Sequence, residues 1–153
     1  MNVINLCRLF LTVMCLVLFV CIVNCYSANG KGKGKAEDFF EIGKQFSAVE
    51  NGDHAIYNYS EAIKLNPKMV KAYNNRGIAY IWRKQYDLAI ADFNKAIKLD
   101  PKNGQAYNNR AIVFWYKGDV NKARQDVQKA QSLGISVNPD FLKKIQEQPS
   151  STQ

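Results

Sequence analysis

Tyr73, Gly77 and Tyr80 recur at four- and three-residue steps, which places them on one face of a helix. Leu88, Phe93, Ala96 and Ile97 mark the apolar face of a second helix shortly afterwards. Asn66-Pro67 and Asp100-Pro101 punctuate the chain, because proline disfavours helical geometry in the residue before it. The pattern predicts helices over 36–49, 53–65, 70–83, 86–99, 104–117, 120–133 and 139–147, with no strand.

The segments repeat. Ala72-Tyr73-Asn74-Asn75-Arg76 returns as Ala106-Tyr107-Asn108-Asn109-Arg110, 34 residues later. Ala62-Ile63-Lys64-Leu65-Asn66-Pro67-Lys68 returns at the same offset as Ala96-Ile97-Lys98-Leu99-Asp100-Pro101-Lys102. A fixed period of this size means stacked units, none able to bury its apolar face alone. The blocks are 36–69, 70–103 and 104–137. Gly77 and Ala89 are small where two helices approach, and bulk there would overpack by roughly 1–3 kcal/mol. Asn138 caps a further short helix over 138–147, with Pro139 in its first turn and Phe141, Leu142 and Ile145 on one face. Solenoids need such a cap over the last apolar end. The polar tail 148–153 is expected to be disordered.

Tyr73, Gly77, Tyr80, Ala89, Phe93, Ala96, Leu99 and Pro101 closely resemble the tetratricopeptide repeat, or TPR. The first block matches through Phe39, Gly43, Phe46, Ala55, Tyr59, Ala62, Leu65 and Pro67. The third matches through Tyr107, Ala111, Phe114, Ala123 and Ala130, and departs at Val127 and Ile135, as an array does where it ends. The resemblance implies an all-α superhelical solenoid of three helical hairpins plus a cap helix. It further implies a non-enzymatic scaffold that binds a protein or extended peptide along the concave face of its first helices. On that face it places Lys44, Lys71, Asn74, Asn75, Ile78, Trp82, Asn108, Asn109, Ile112 and Tyr116, with Phe40, Ser47, Gln105 and Trp115 nearby. The asparagine amides both donate and accept, and are expected to face solvent in the free protein. Lys44 and Lys71 would favour an acidic segment, and Trp82 and Tyr116 offer broad amphipathic contact.

One TPR subgroup clamps the acidic C-termini of heat-shock chaperones with Lys, Asn, Asn, Lys and Arg. At those positions this chain has Phe40, Lys44, Asn75, Gln105 and Asn109, so only Asn75 matches. A two-carboxylate clamp is not expected.

The N-terminal 1–25 belongs to another physical class. Leu9 to Val23 is a 15-residue run, apolar but for Thr12, which suits a signal-peptide core and falls short of the roughly 20 residues of a spanning helix. Ile22-Val23-Asn24-Cys25 resembles a bacterial lipobox, so an exported bacterial protein is the expectation. Lipidation of Cys25, ordinary cleavage after it and a retained membrane anchor stand as alternatives, with a periplasmic or membrane-associated location. All four cysteines, Cys7, Cys15, Cys21 and Cys25, fall in this segment, which leaves the repeats without a thiolate metal site or disulfide. Residues 26–35, with Gly30-Lys31-Gly32-Lys33-Gly34-Lys35, read as a flexible basic linker.

The net charge is +8, or +7 without Arg8, a bias that draws acidic partners or anionic envelope surfaces. The lysines are spread over turns and helix ends, so no nucleic-acid partner is expected. His54 is the sole histidine and sits beside Asp53 at a helix start. Asp87, Asp92, Asp119 and Asp126 are expected at turns or on outer helix positions, without an acid/base pair. No cofactor or catalytic residue is expected. Modulation of envelope enzymes or glycans, and self-association through solenoid ends, are the rival functions.

Overall fold

The computed structural model describes residues 32–48 and 51–148, and every described element is helical. In chain order these are α1 (Gly32–Ala48), α2 (Gly52–Leu65), α3 (Val70–Trp82), α4 (Tyr86–Leu99), α5 (Gly104–Tyr116), α6 (Val120–Ser132) and α7 (Pro139–Glu147). The bounds agree with the sequence expectation to within one residue, except at the start of α1. That helix begins at Gly32, so 32–35 of the expected linker is helical. Once a nucleus is packed, each added residue extends a helix with its own hydrogen bond, even through poor formers such as glycine. The unit that carries the repeats begins at Ala36.

Helices α2 to α6 each pack on the next in the chain, and α3 also meets α5, so alternate helices stack as a second layer. The turns repeat as the sequence does. Asn66 Oδ1 accepts from the Lys68 amide at 3.2 Å, and Asp100 Oδ1 accepts from the Lys102 amide at 3.1 Å. Asn103, Asp119 and Asn138 accept from the first amides of α5, α6 and α7. The turn after α5 uses Gly118 at φ 79, whereas its counterpart after α3 is Lys84 at φ 56. A side chain in that left-handed region costs about 1–2 kcal/mol.

Within each repeat, a small residue on the first helix faces a side chain 16 positions later on the second. A Cβ at Gly43 would stand 2.6 Å from the Tyr59 ring, and one at Gly77 would stand 2.6 Å from Phe93. The third repeat has Ala111 and Val127 at these positions, both buried. The loss of the ring and the gain of a methyl go together. The departure at Val127 is therefore a change of gauge within the same packing.

At the C-terminal end, Phe141, Leu142 and Ile145 of α7 pack with Val120, Val127 and Ala130 of α6. One apolar expectation fails. Leu88 is exposed, because it lies one residue before Ala89, which is buried and faces Phe93 and Val113.

Candidate peptide-binding groove

Two buried ion pairs fix the first helices. Arg76 of α3 donates from Nε and Nη2 to the two carboxylate oxygens of Asp92 on α4, both at 2.7 Å. Its remaining nitrogen donates to Ser60 Oγ of α2 at 2.9 Å. One repeat later, Arg110 of α5 makes the same two 2.7 Å bonds to Asp126 of α6 and reaches back to Asn94 of α4. Each arginine thus ties three helices in a forked, charge-assisted geometry. Asp92 and Asp126 were expected at turns or on outer helix positions, and both are buried. Burial pushes the Asp92 carboxyl above its ordinary range against the pull of Arg76, so the pair fixes geometry more than it adds net stability. Sequence reasoning missed these pairs, although Arg and Asp recurring 16 residues apart in two successive blocks was the available signal.

The first repeat lacks the device. Ile42 occupies the arginine position and Asn58 the aspartate position. Buried Asn58 instead donates to the carbonyl of His54 in its own helix at 2.8 Å.

Between α1, α2 and α3 lies a cavity of about 240 Å³ lined by Lys44, Ser47, Tyr59, Asn75 and Ile78. Polar groups converge there. Ser47 Oγ and Tyr59 Oη share a hydrogen bond of 3.0 Å, and Asn75 Nδ2 donates to Tyr59 Oη at 3.5 Å. Trp82 and Tyr116, equivalent positions one repeat apart, are 51% and 53% exposed. Tyr116 stacks on Tyr86 at 5.7 Å with ring planes 9° apart.

The asparagines do not share one solvent face. Asn74 is 7% exposed and Asn109 is 6% exposed, contrary to the expectation of free amides. Adjacent residues on a helix point about 100° apart, so Asn74 and Asn75 cannot line the same strip. Asn75 lines the cavity above, while Asn108 and Ile112 line another between α5 and α7. Asn109 Oδ1 accepts from Gln105 within α5 at 3.1 Å. The lysines are exposed but engaged. Lys44 pairs with Glu41 at 2.9 Å, which holds its ammonium above the usual lysine range. Lys71 pairs with Glu37 and lies 4.5 Å above the Phe40 ring.

Family profiles described as tetratricopeptide repeat match residues 70–103 and 93–125, and one described as TPR repeat matches 39–81. Together they cover 39–125 and reach into all three blocks. The chain is a tetratricopeptide-repeat protein. The TPR2B domain of yeast Sti1, solved in a pHsp70 complex, is similar at 29% identity and TM-score 0.65, covering 74% of this chain and 91% of that one. The Arabidopsis OM64 TPR domain is similar at 25% identity and TM-score 0.74, covering 76% and 98%. The second TPR domain of human RPAP3, solved with the HSP70 peptide SGPTIEEVD, is similar at 25% and 0.72, covering 77% and 100%. No curated protein sequence matches.

In this TPR protein the Phe40 ring is buried and stands 5.7 Å from Tyr59, where the chaperone clamp subgroup carries a lysine. Amides, hydroxyls and apolar surface therefore line the groove, and its lysines already have carboxylate partners. Among the described residues no cluster of His, Cys, Asp or Glu could hold a metal. His54 is exposed, with Nδ1 2.8 Å from Asn51 Oδ1 and its ring stacked on Phe46.

Proposed function

We propose that this protein is a non-enzymatic scaffold whose first helices hold an extended segment of a partner protein. The convergence of Ser47, Tyr59 and Asn75 beside Ile78 carries the reading. These groups can pair with main-chain amides without reading side chains, as an extended ligand requires. The peptide complexes of the Sti1 and RPAP3 domains support the same use of the fold. An acidic segment would meet Lys44 and Lys71 already paired with Glu41 and Glu37, so charge is a secondary contribution here.

The test uses a partner recovered by pull-down. Asn75→Ala with Ile78→Ala should weaken its binding by about 1–3 kcal/mol, from lost hydrogen bonds and apolar contact. The far-ultraviolet circular dichroism should remain that of the parent. Unchanged affinity in the folded variant would move the site off the first helices.

The scaffold works outside the cytoplasm or at a membrane. The apolar run Leu9 to Val23 and the confinement of all cysteines to 1–25 support this, and those residues lie outside the described part of the chain. Among the described residues no helix is long and apolar enough to cross a membrane. If Cys25 carries lipid, Cys25→Ser should abolish incorporation of labelled fatty acid and release the protein from membranes. A parent protein that never takes up label would refute lipidation.

A further inference from the structure

The helices of the array end in two sets of turns, and the charges at these two edges are arranged differently. One edge carries the turns after α1, α3 and α5. There Arg83 pairs with Asp53, Lys117 with Asp87 and Lys122 with Asp119, which leaves Lys84 as the exception. Each aspartate sits at the start of a second helix.

The other edge carries the turns after α2, α4 and α6. One apolar cluster joins Ile63, Val70 and Tyr73 around the first of these turns to Ala96, Leu99 and Ala106 around the second. Gly104 lies close to Leu133 and Ile135, which brings the third turn alongside. Lys64 and Lys68 flank the first turn, Lys98 and Lys102 flank the second, and all four are exposed. Among the described residues Lys68, Lys98 and Lys102 have no ion-pair partner. The acidic side chains beside them are engaged: Glu61 with Lys64 at 3.6 Å, Glu37 with Lys71, and Asp100 Oδ1 with the Lys102 amide. Asp38 and Asp140 belong to the outermost helices, α1 and α7, so the uncompensated charge is concentrated at the two inner turns. Leu65, a large apolar side chain, is exposed next to Lys64.

The chain also enters its repeats at this edge. Ala36, the first residue of that unit, is buried in one cluster with Met69 and Ala72 at the first turn. Lys31, Lys33 and Lys35 precede it in sequence. The 12 residues between Val23 and Ala36 can span at most about 40 Å, so a membrane that holds the apolar run keeps this edge near its surface.

We propose that the edge formed by 64–68 and 98–102 lies against an anionic lipid surface, with its four lysines among the headgroups and Leu65 in the boundary beneath them. Lysine ammonium groups are point charges on flexible stems, which suits a mobile sheet of headgroups. A fixed acidic motif is better met by planar guanidinium forks, and Arg76 and Arg110 are both committed to Asp92 and Asp126. The proposal rests on the membrane reading and adds an orientation to it. The helices stand on end, with the edge that carries Trp82 and Tyr116 farthest from the lipid.

The test places the full-length protein in vesicles of phosphatidylcholine alone and in vesicles that also contain phosphatidylglycerol. Brief acetylation of amines is then read by peptide mass spectrometry. In the anionic vesicles Lys68, Lys98 and Lys102 should react about fivefold or more slowly than in the neutral ones, while Lys84 and Lys117 react equally in both. Salt near ~1 M, where the screening length falls to about 3 Å, should abolish the difference. Lys68→Gln with Lys98→Gln and Lys102→Gln should return Lys64 to its rate in neutral vesicles. Lys84→Gln with Lys117→Gln and Lys122→Gln removes as much charge from the opposite edge and should leave the protection in place. Equal labelling in the two kinds of vesicle overturns the proposal, and the membrane reading survives if the protein floats with both. A protein that floats with neither removes the membrane reading itself. Protection by soluble polyglutamate but not by vesicles would assign the edge to an acidic protein instead.

Discussion

Phe93→Ala should lower the unfolding free energy by about 3–5 kcal/mol, measured by urea denaturation. Phe93 is fully buried, packed with Ala89 and Val113 and close against Gly77. Truncation removes the ring from the layer between repeats two and three, and Gly77 has no side chain to fill the space. Three features of the site make collapse difficult. The ring contacts two neighbouring units, α3 is pinned by Arg76, and α4 is pinned by Asp92. Gly77→Ala together with Phe93→Val, which copies the Ala111 and Val127 of the third repeat, should recover a substantial part of the loss. A loss below about 1 kcal/mol for Phe93→Ala would mean that the layer is not packed to the usual interior density.

Much of this was legible in the chain. The helices and the period of 34 follow from Tyr73, Gly77, Phe93 and Pro101, because a repeat must present the same face in every unit. The close approach at Gly77 was legible too, since an absent side chain beside an aromatic is a packing statement. The groove was less so. Assigning Asn74 and Asn75 together to one strip ignored the helical rotation between adjacent residues. Treating Asp92 and Asp126 as outer residues priced them singly as charges, whereas a charge is buried when a forked partner meets it. The cavity at α7 was not legible because Asn108, Trp115 and Phe141 come together only through the angle at which the cap helix docks.

Arg76→Ala should be as damaging as the loss of Phe93, at about 3–5 kcal/mol near neutral pH. It leaves the Asp92 carboxylate buried with no counter-charge, and Ser60 loses a donor from the same side chain. The penalty is one of desolvation, so it depends on the charge being present. Burial already raises the folded carboxyl above its unfolded value, and removal of Arg76 raises it further. A carboxyl raised in the folded state is destabilising above that raised value. The loss should therefore shrink as the pH falls through it toward the unfolded value near ~3.9. Replacing both partners, Arg76→Met with Asp92→Leu, should restore most of the stability, because no charge is then stranded. A four-corner mutant cycle at pH 7 and pH 4.5 reads all of this. An Arg76→Ala variant whose deficit grows in acid would contradict the assignment.

The arginine fork also sets how the array can change length. Arg76 takes its carboxylate from its own 34-residue unit, and Arg110 does the same with Asp126. The ring and its facing glycine, Phe93 and Gly77, likewise lie within one unit. Of each fork, only one hydrogen bond crosses the boundary, to Ser60 in one case and Asn94 in the other. Gln128 stands at the corresponding position of the third unit, exposed and able to accept. A unit copied whole therefore arrives with its own counter-ion and its own packing gauge, and its arginine fork asks of the preceding unit only one polar side chain. Growth by duplication demands no matched second change, while exchange of half a unit strands a buried charge.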